Sequence, residues 1–331
     1  MQHNKGFVLA SRPKGAPTHA NFRLVESETA EPVEGQLLVK HLFMSLDPYM
    51  RGRMDDSKSY AAPQQIDAVM GGRTIGEVVV SKNPRFKVGD HVVGMGGWQL
   101  YSLSDGQGLM KVDGSKIPLS AYLGVVGMPG VTAWYGLNKI IAPKKGDIVV
   151  VSAATGAVGS VVGQLAKIAG AQTVGIAGGR EKCAYAVTEL GYDFCVDHRS
   201  ANFAAELKAA LPHGIDGLFE NVGGEPFNQA IRLLNPFARI AVCGLIASYN
   251  GEPTPLFDMR VILVSRARME GFIISDHMNL WPEALAELSG HVASGKLKYR
   301  ETVAHGIESA PDAFFGLLTG KNFGKQVVKL A

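Results

Sequence analysis

The sequence predicts an α/β protein whose second part is a doubly wound parallel sheet. Three observations carry that prediction. Residues 1 to about 120 hold short apolar runs separated by Gly, Pro and Asp, the spacing of an all-β domain. From about 147 to 275, strand-like and helix-like segments alternate, the rhythm of a sheet with helices on both faces. At the first junction of that alternation stands the turn Ala154-Thr155-Gly156-Ala157-Val158-Gly159.

Taken in order, GQLLVKHLFMS, GGRTIGEVVVS and GDHVVGMGGWQLY each read as a strand closed by turn residues. IVVVSA, TVGIAG, FCVD, GLFENV and RIAVCGLI then supply parallel strands. They are continuous apolar runs because a parallel strand is covered on both faces. Helices are expected between them at 160–169, 181–190, 202–211 and 226–234, with another at 281–294. The closing stretch TVAHGIESAPDAFFGLLTGKNFGKQVVKL reads as strand, helix, strand, with Ser309 as N-cap and Pro311 tolerated in the first turn. This tail is too short to fold alone and is assigned to the β domain. The expected division is therefore a discontinuous domain of 1–120 plus 297–331 and an inserted domain of 121–296.

A chain of 331 residues exceeds the about 100–200 typical of one domain, and 46% apolar with 19% charged residues is a globular composition. The net charge of +3, with Lys and Arg dispersed among acids, excludes a nucleic-acid partner. No apolar run approaches the ~18 residues of a membrane span, and Phe7 to Ala10 is too short for a signal-peptide core. A cytoplasmic protein with no membrane partner is expected. Cys183, Cys195 and Cys243 are far apart and are read as small buried hydrophobes, suggesting neither a disulfide framework nor a metal site.

The turn at 154–159 lies between a strand and a helix whose apolar stripe is Val161, Val162, Leu165, Ile168 and Ala169, the context a dinucleotide fingerprint requires. Compared with GxGxxG, alanine stands at the first position and glycine at the other two. Gly156 lets main chain reach a pyrophosphate at the helix N-terminus, and Gly159 lets helix and strand pack closely. The second strand ends in Gly178-Gly179-Arg180-Glu181-Lys182. The acid that would bind the adenosine ribose hydroxyls is missing there, and two cations follow, which favours NADPH over NADH.

Together, LDPYMRGRM (46–54), GVVGMPGVTAWYGL (124–137), ATGAVGSVVGQLAK, AGGREKC (177–183), ENVGG (220–224), CGLIASYN (243–250), MEGFII (269–274) and GKNFGKQVV (320–328) resemble the zinc-independent medium-chain dehydrogenase/reductases. The similar subgroup reduces carbon–carbon double bonds and includes prostaglandin, alkenal and curcumin reductases. The resemblance spans essentially the whole chain. It implies a GroES-like β domain, a Rossmann cofactor domain, NADPH and a homodimer. Carried over by position, it implies that Gly156, Ala157, Val158 and Gly159 hold the pyrophosphate, Lys182 the 2′-phosphate, and Asn221 the ribose. Cys243, Gly244 and the residues to Tyr249 would line the nicotinamide side with Phe272, Ile273 and Ile274, and Asn322 would reach the cofactor from the tail. Many relatives carry a tyrosine after the third strand. Here DHRS leaves His198 or Arg199 for that place.

Zinc alcohol dehydrogenases need an early cysteine ligand and a His-Glu pair. No cysteine precedes Cys183 and the comparable stretch is GGRTIGE, so no catalytic metal is expected. The expected substrate is a conjugated enone or alkenal, reduced by hydride transfer to its β-carbon while hydrogen-bond donors hold the carbonyl oxygen. Tyr249 and Tyr49 are the candidate catalytic donors, each with packing as the alternative. Asp47 and Arg51 are read as fixing the loop. Met44, Met128, Trp134 and Phe272 are read as core rather than substrate pocket. A quinone reductase and a non-catalytic NADPH-binding regulator are the competing functions.

Overall fold

The computed structural model describes residues 2–251 and 257–331, and the chain forms two compact units, Met1–Gly124 with Glu301–Ala331, and Val125–Arg300. The first unit is built on a seven-stranded sheet running, by neighbours, Glu301–His305, Lys325–Lys329, Leu37–Ser45, Thr74–Ser81, His91–Gly94 and Met110–Lys111, with Tyr101–Ser104 also pairing Leu37–Ser45. A separate antiparallel pair joins His3–Leu9 to Phe22–Glu28. The tail thus supplies two strands of the first unit's sheet, one of them, Lys325–Lys329, antiparallel to Leu37–Ser45.

Its core gathers Leu9, Met44, Met50, Trp98 and Phe314, all fully buried. Trp98 stacks on Phe22 at 5.5 Å and meets the edge of Phe314 at 5.6 Å. The tail helix Ala310–Leu318 has Pro311 in its first turn as expected, but Ser309 does not cap it through its side chain. The Ser309 hydroxyl instead donates back to the Gly306 carbonyl at 2.7 Å, because the residue already has helical backbone angles.

A buried ion pair holds the loop before the short helix Tyr49–Arg53. Lys325 Nζ donates to Asp47 Oδ1 at 2.8 Å and to the Leu46 carbonyl at 2.6 Å, with the two charged side chains 4% and 6% exposed. Ser45 Oγ donates to the other Asp47 oxygen, so the carboxylate is satisfied twice. Arg51 is tied to Asp55 and to the Gly15 carbonyl, both at 2.8 Å.

The second unit is a six-stranded parallel sheet ordered Phe194–Asp197, Gln172–Ala177, Ile148–Ser152, Ile215–Glu220, Leu234–Val242, Arg268–Gly271. Helices Gly159–Ile168, Arg180–Thr188, Phe203–Ala210 and Gly224–Ala230 fall at the expected junctions. Every side chain of Ile148–Ser152 is buried, the pattern of a central parallel strand. The strand order reverses between Ile148–Ser152 and Ile215–Glu220, and a crevice at the carboxyl ends of such neighbours is where open sheets take ligands. Trp134 is core, its indole N–H donating to Glu287 at 2.7 Å.

Replacing Lys325 by Met leaves the Asp47 carboxylate buried without its cation. The expected cost is about 3–5 kcal/mol, the usual penalty for breaking a buried pair from one side. A urea unfolding curve that shifts by less than a third of that overturns the assignment.

Candidate active site

The turn that closes Ile148–Ser152 is tighter than its sequence suggests. Ala153 takes a left-handed conformation, φ +49°, a position usually left to glycine. Its carbonyl then faces the helix start: a Cβ on Gly159 would stand 2.3 Å from that oxygen, and one on Gly156 would stand 3.2 Å from it. Ala154, in the place of the first fingerprint glycine, is fully buried, and its methyl is accommodated because the facing residue on the next strand is Gly175. Gly156, Ala157, Val158 and Gly159 therefore form the main-chain start of a ten-residue helix. The first N–H groups of a helix have no partner within it and carry the positive end of its dipole, so the arrangement fits an anion.

Beside the turn, the end of the next strand gathers cations. A Cβ on Gly178 would meet His198 Nε2 at 2.9 Å and Arg199 Nε at 3.1 Å, so both side chains lie against that glycine. Asp197 fixes the loop by accepting from the N–H groups of Gly179 and Arg199 at 2.8 and 2.9 Å. Lys182 is half-buried; burial and then the Arg199 guanidinium hold its ammonium below the ordinary lysine value, with Glu181 acting the other way. His198 is likewise held below its ordinary value, by burial first and Arg199 second, so it is neutral at physiological pH. The structure thus brings Lys182, His198 and Arg199 together beside Gly178.

At the switch point, Asn221 follows a fully buried acid. Glu220 Oε1 accepts from Ser152 Oγ at 2.9 Å and from the N–H groups of Val222 and Gly223 at 2.6 and 2.7 Å. Asn221 donates from its side-chain amide to the Ser152 carbonyl at 2.8 Å, and its backbone N–H donates to Ser152 Oγ. The Asn221 loop is therefore locked to the end of the central strand. Nothing in the sequence signalled this network, since an acid inside an apolar strand has no local pattern.

Farther along the same sheet a cleft of about 480 Å³ opens at the ends of Leu234–Val242 and Arg268–Gly271. Cys243, Gly244, Tyr249, Phe272 and Ile273 line it. Ile274 does not; it is buried and its carbonyl accepts the Trp281 indole N–H at 3.3 Å. Tyr249 Oη accepts from the Leu245 N–H at 3.4 Å, which uses a lone pair and leaves the hydroxyl proton to donate. Burial raises the Tyr249 pKa, so the phenol stays protonated. Among the lining residues that sequence reasoning did not assign are Tyr135 and His277, whose rings stack at 4.1 Å. Their separation along the chain hid the pair.

Tyr49 and Asn322 belong to the first unit. Tyr49 opens the helix Tyr49–Arg53, and burial followed by the Asp47 carboxylate raises its pKa. Asn322 donates to the Gly324 carbonyl at 2.7 Å. Among the described residues no group of three or more His, Cys, Asp and Glu side chains gathers as a metal site. Among them, too, no helix is long and apolar enough to cross a membrane.

Residues 5–112 match the family described as N-terminal domain of oxidoreductase, and residues 157–290 match the zinc-binding dehydrogenase family. The chain is 48% identical to the NADPH-dependent curcumin reductase of Escherichia coli, covering 100% of this chain and 98% of that protein. It is 40% identical to the NADP(+)-dependent 2-alkenal reductase of Nicotiana tabacum, covering 99% of this chain and 98% of that one. The crystal structure of CurA from Vibrio vulnificus in complex with NADPH superposes with a TM-score of 0.95 at 48% identity, covering 99% of each chain. With both family models matched and relatives this similar along its whole length, the chain belongs to the zinc-independent medium-chain dehydrogenase/reductase family, in the branch of the curcumin and alkenal reductases.

Proposed function

We propose that this protein reduces the carbon–carbon double bond of α,β-unsaturated ketones and aldehydes, with NADPH as its reductant. The observation that carries the reading is the full-length identity to an NADPH-dependent curcumin reductase and a 2-alkenal reductase. The geometry of the second unit supplies the chemistry. The helix start at Gly156–Gly159 holds the pyrophosphate, Lys182 with Arg199 and His198 the ribose 2′-phosphate, and the Asn221 loop the ribose. Cys243, Gly244, Phe272 and Ile273 wall the nicotinamide side.

NADPH, when bound, supplies the hydride that adds to the β-carbon. The π electrons then move to the α-carbon and carbonyl oxygen, and the resulting enolate charge needs a donor. Tyr249 provides one: it lines the cleft, its hydroxyl is kept protonated by burial, and it has its proton to give. Tyr49, on the helix anchored by Asp47 and Lys325, is the second proposed donor, and Asn322 the contact from the tail. The α-carbon proton is assigned to solvent. The first unit, Met1–Gly124 with Glu301–Ala331, serves as the GroES-like catalytic domain and the second, Val125–Arg300, as the cofactor domain, each boundary within a few residues of the expected 1–120 with 297–331 and 121–296. The protein works in the cytoplasm and as a homodimer, the second reading supported by Arg268–Gly271 being an edge strand among the described residues and by exposed Met259, Leu263 and Val264 in the segment before it.

The test is consumption of NADPH, followed by its near-ultraviolet absorbance, against a panel of alkenals, alkenones and diarylheptanoids. The expected product is the saturated carbonyl compound; an allylic alcohol, or turnover confined to quinones, overturns the proposal. Tyr249→Phe is expected to lower kcat by about 10²–10³, the effect of removing one donor to a developing oxyanion. Unchanged turnover of a simple enone at saturating NADPH refutes that role. Lys182→Ala is expected to raise the KM for NADPH on the order of tenfold or more, as loss of a charged hydrogen bond does, while leaving the KM for NADH nearly unchanged. Equal losses for both coenzymes would count against the 2′-phosphate site.

A further inference from the structure

Two of the three cysteines lie outside the cleft, at the opposite edge of the parallel sheet. Cys195 is on the edge strand Phe194–Asp197, and Cys183 is on the helix Arg180–Thr188 packed against it. The expectation that both are inert buried hydrophobes fails, because each is partly exposed and lines a cavity of about 820 Å³. The Cys195 thiol hydrogen-bonds the Cys183 sulfur; this bond holds Cys183 below the ordinary thiol range and pushes Cys195 above it. Arg180 and Arg199 stand at the same cavity and Phe194, 58% exposed, at its solvent side. A nucleophilic sulfur with a second thiol in contact and an open route from solvent is the arrangement of a redox pair, attacking and resolving.

We propose that Cys183 and Cys195 are a redox-active dithiol that a hydroperoxide closes into a disulfide. The Cys183 thiolate attacks one peroxide oxygen, the O–O bond breaks, and the departing oxygen leaves as water or an alcohol after taking a proton. Cys183 is then a sulfenic acid. The Cys195 sulfur attacks that sulfur, the S–S bond forms, and the hydroxyl leaves as a second water with the thiol's proton. Two thiols lose two electrons in all, and one peroxide gains them. Closure draws the first turns of Arg180–Thr188 toward the edge strand. Lys182 is the adjacent residue, so closure shifts it against its anion and weakens NADPH binding. This last consequence rests on the 2′-phosphate role proposed for Lys182.

The full chain is reduced, desalted, treated with hydrogen peroxide and desalted again. Titratable thiols are expected to fall from three to one, the intact mass to drop by two hydrogens, and dithiothreitol to restore both. Peptide mapping is expected to join Cys183 to Cys195. The reduced Cys195→Ser variant is expected to keep NADPH turnover, and under peroxide to take up oxygen at Cys183 without forming an internal disulfide. Retention of three thiols, or oxidation confined to Cys243, overturns the proposal. In the oxidised native chain the KM for NADPH is expected to rise about tenfold with kcat little changed, as loss of one charged contact does. A disulfide that forms while that KM stays put overturns the coupling. Lys182→Ala, measured on fully reduced protein, reports on the 2′-phosphate site separately.

Discussion

The cofactor unit depends on one close contact, the approach of the Gly159 backbone to the Ala153 carbonyl. A methyl group at Gly159 would stand 2.3 Å from that oxygen, so the helix reaches the strand only because the side chain is absent. The same economy repeats on both sides: Gly175 faces the Ala154 methyl, and Gly163 faces the ring of Tyr192, where a Cβ would come within 2.1 Å. Tyr192 is fully buried and its hydroxyl donates to the Gly159 carbonyl at 2.7 Å, fixing the first turn from the far side. The left-handed Ala153 costs roughly 1–2 kcal/mol. That cost is offset by the packing it permits, and the result is a helix N-terminus held rigidly where an anion is expected.

How much of this was legible follows from where the information lies along the chain. The parallel strands were readable because burial on both faces leaves continuous apolar runs, as in Ile148–Ser152. The sixth strand, Arg268–Gly271, was not; it is an edge strand reading RMEG, and its charged residues follow from its open side. The glycine turn was found by its spacing, yet the strained position proved to be Ala153, one residue before the motif, where no rule calls for glycine. The Lys325–Asp47 pair joins residues 278 apart, and Ser152–Glu220 joins residues 68 apart. Such contacts have no local signature, and they hold the loops on which the candidate site residues stand.

Glu220 shows how such a network also sets chemistry nearby. Burial raises its pKa against hydrogen bonds from Gly223, Val222, Ser152 and Asn221 that lower it, and its second oxygen has no partner among the described groups. Burial, then the adjacent Glu220, pushes the Cys243 thiol up to about 12. Cys243 is therefore a neutral thiol, and its contribution to the cleft is shape rather than nucleophilicity. Cysteines of one unit thus differ by their neighbours: burial beside an acid holds the Cys243 thiol above the ordinary value, whereas the Cys195 thiol holds Cys183 below it.

The cations at Gly178 are the proposed basis of coenzyme selectivity. Burial, and then the Arg199 guanidinium, disfavour the charge on Lys182. A phosphate placed between them relieves both terms at once. A ribose hydroxyl relieves neither, so a coenzyme without the phosphate would desolvate the cations further and leave their repulsion in place. Discrimination then arises as much from the unfavourable state of the wrong complex as from contacts in the right one. Glu181, in the first turn of the helix Arg180–Thr188, acts against that repulsion at Lys182, a cation near a helix start whose dipole disfavours it.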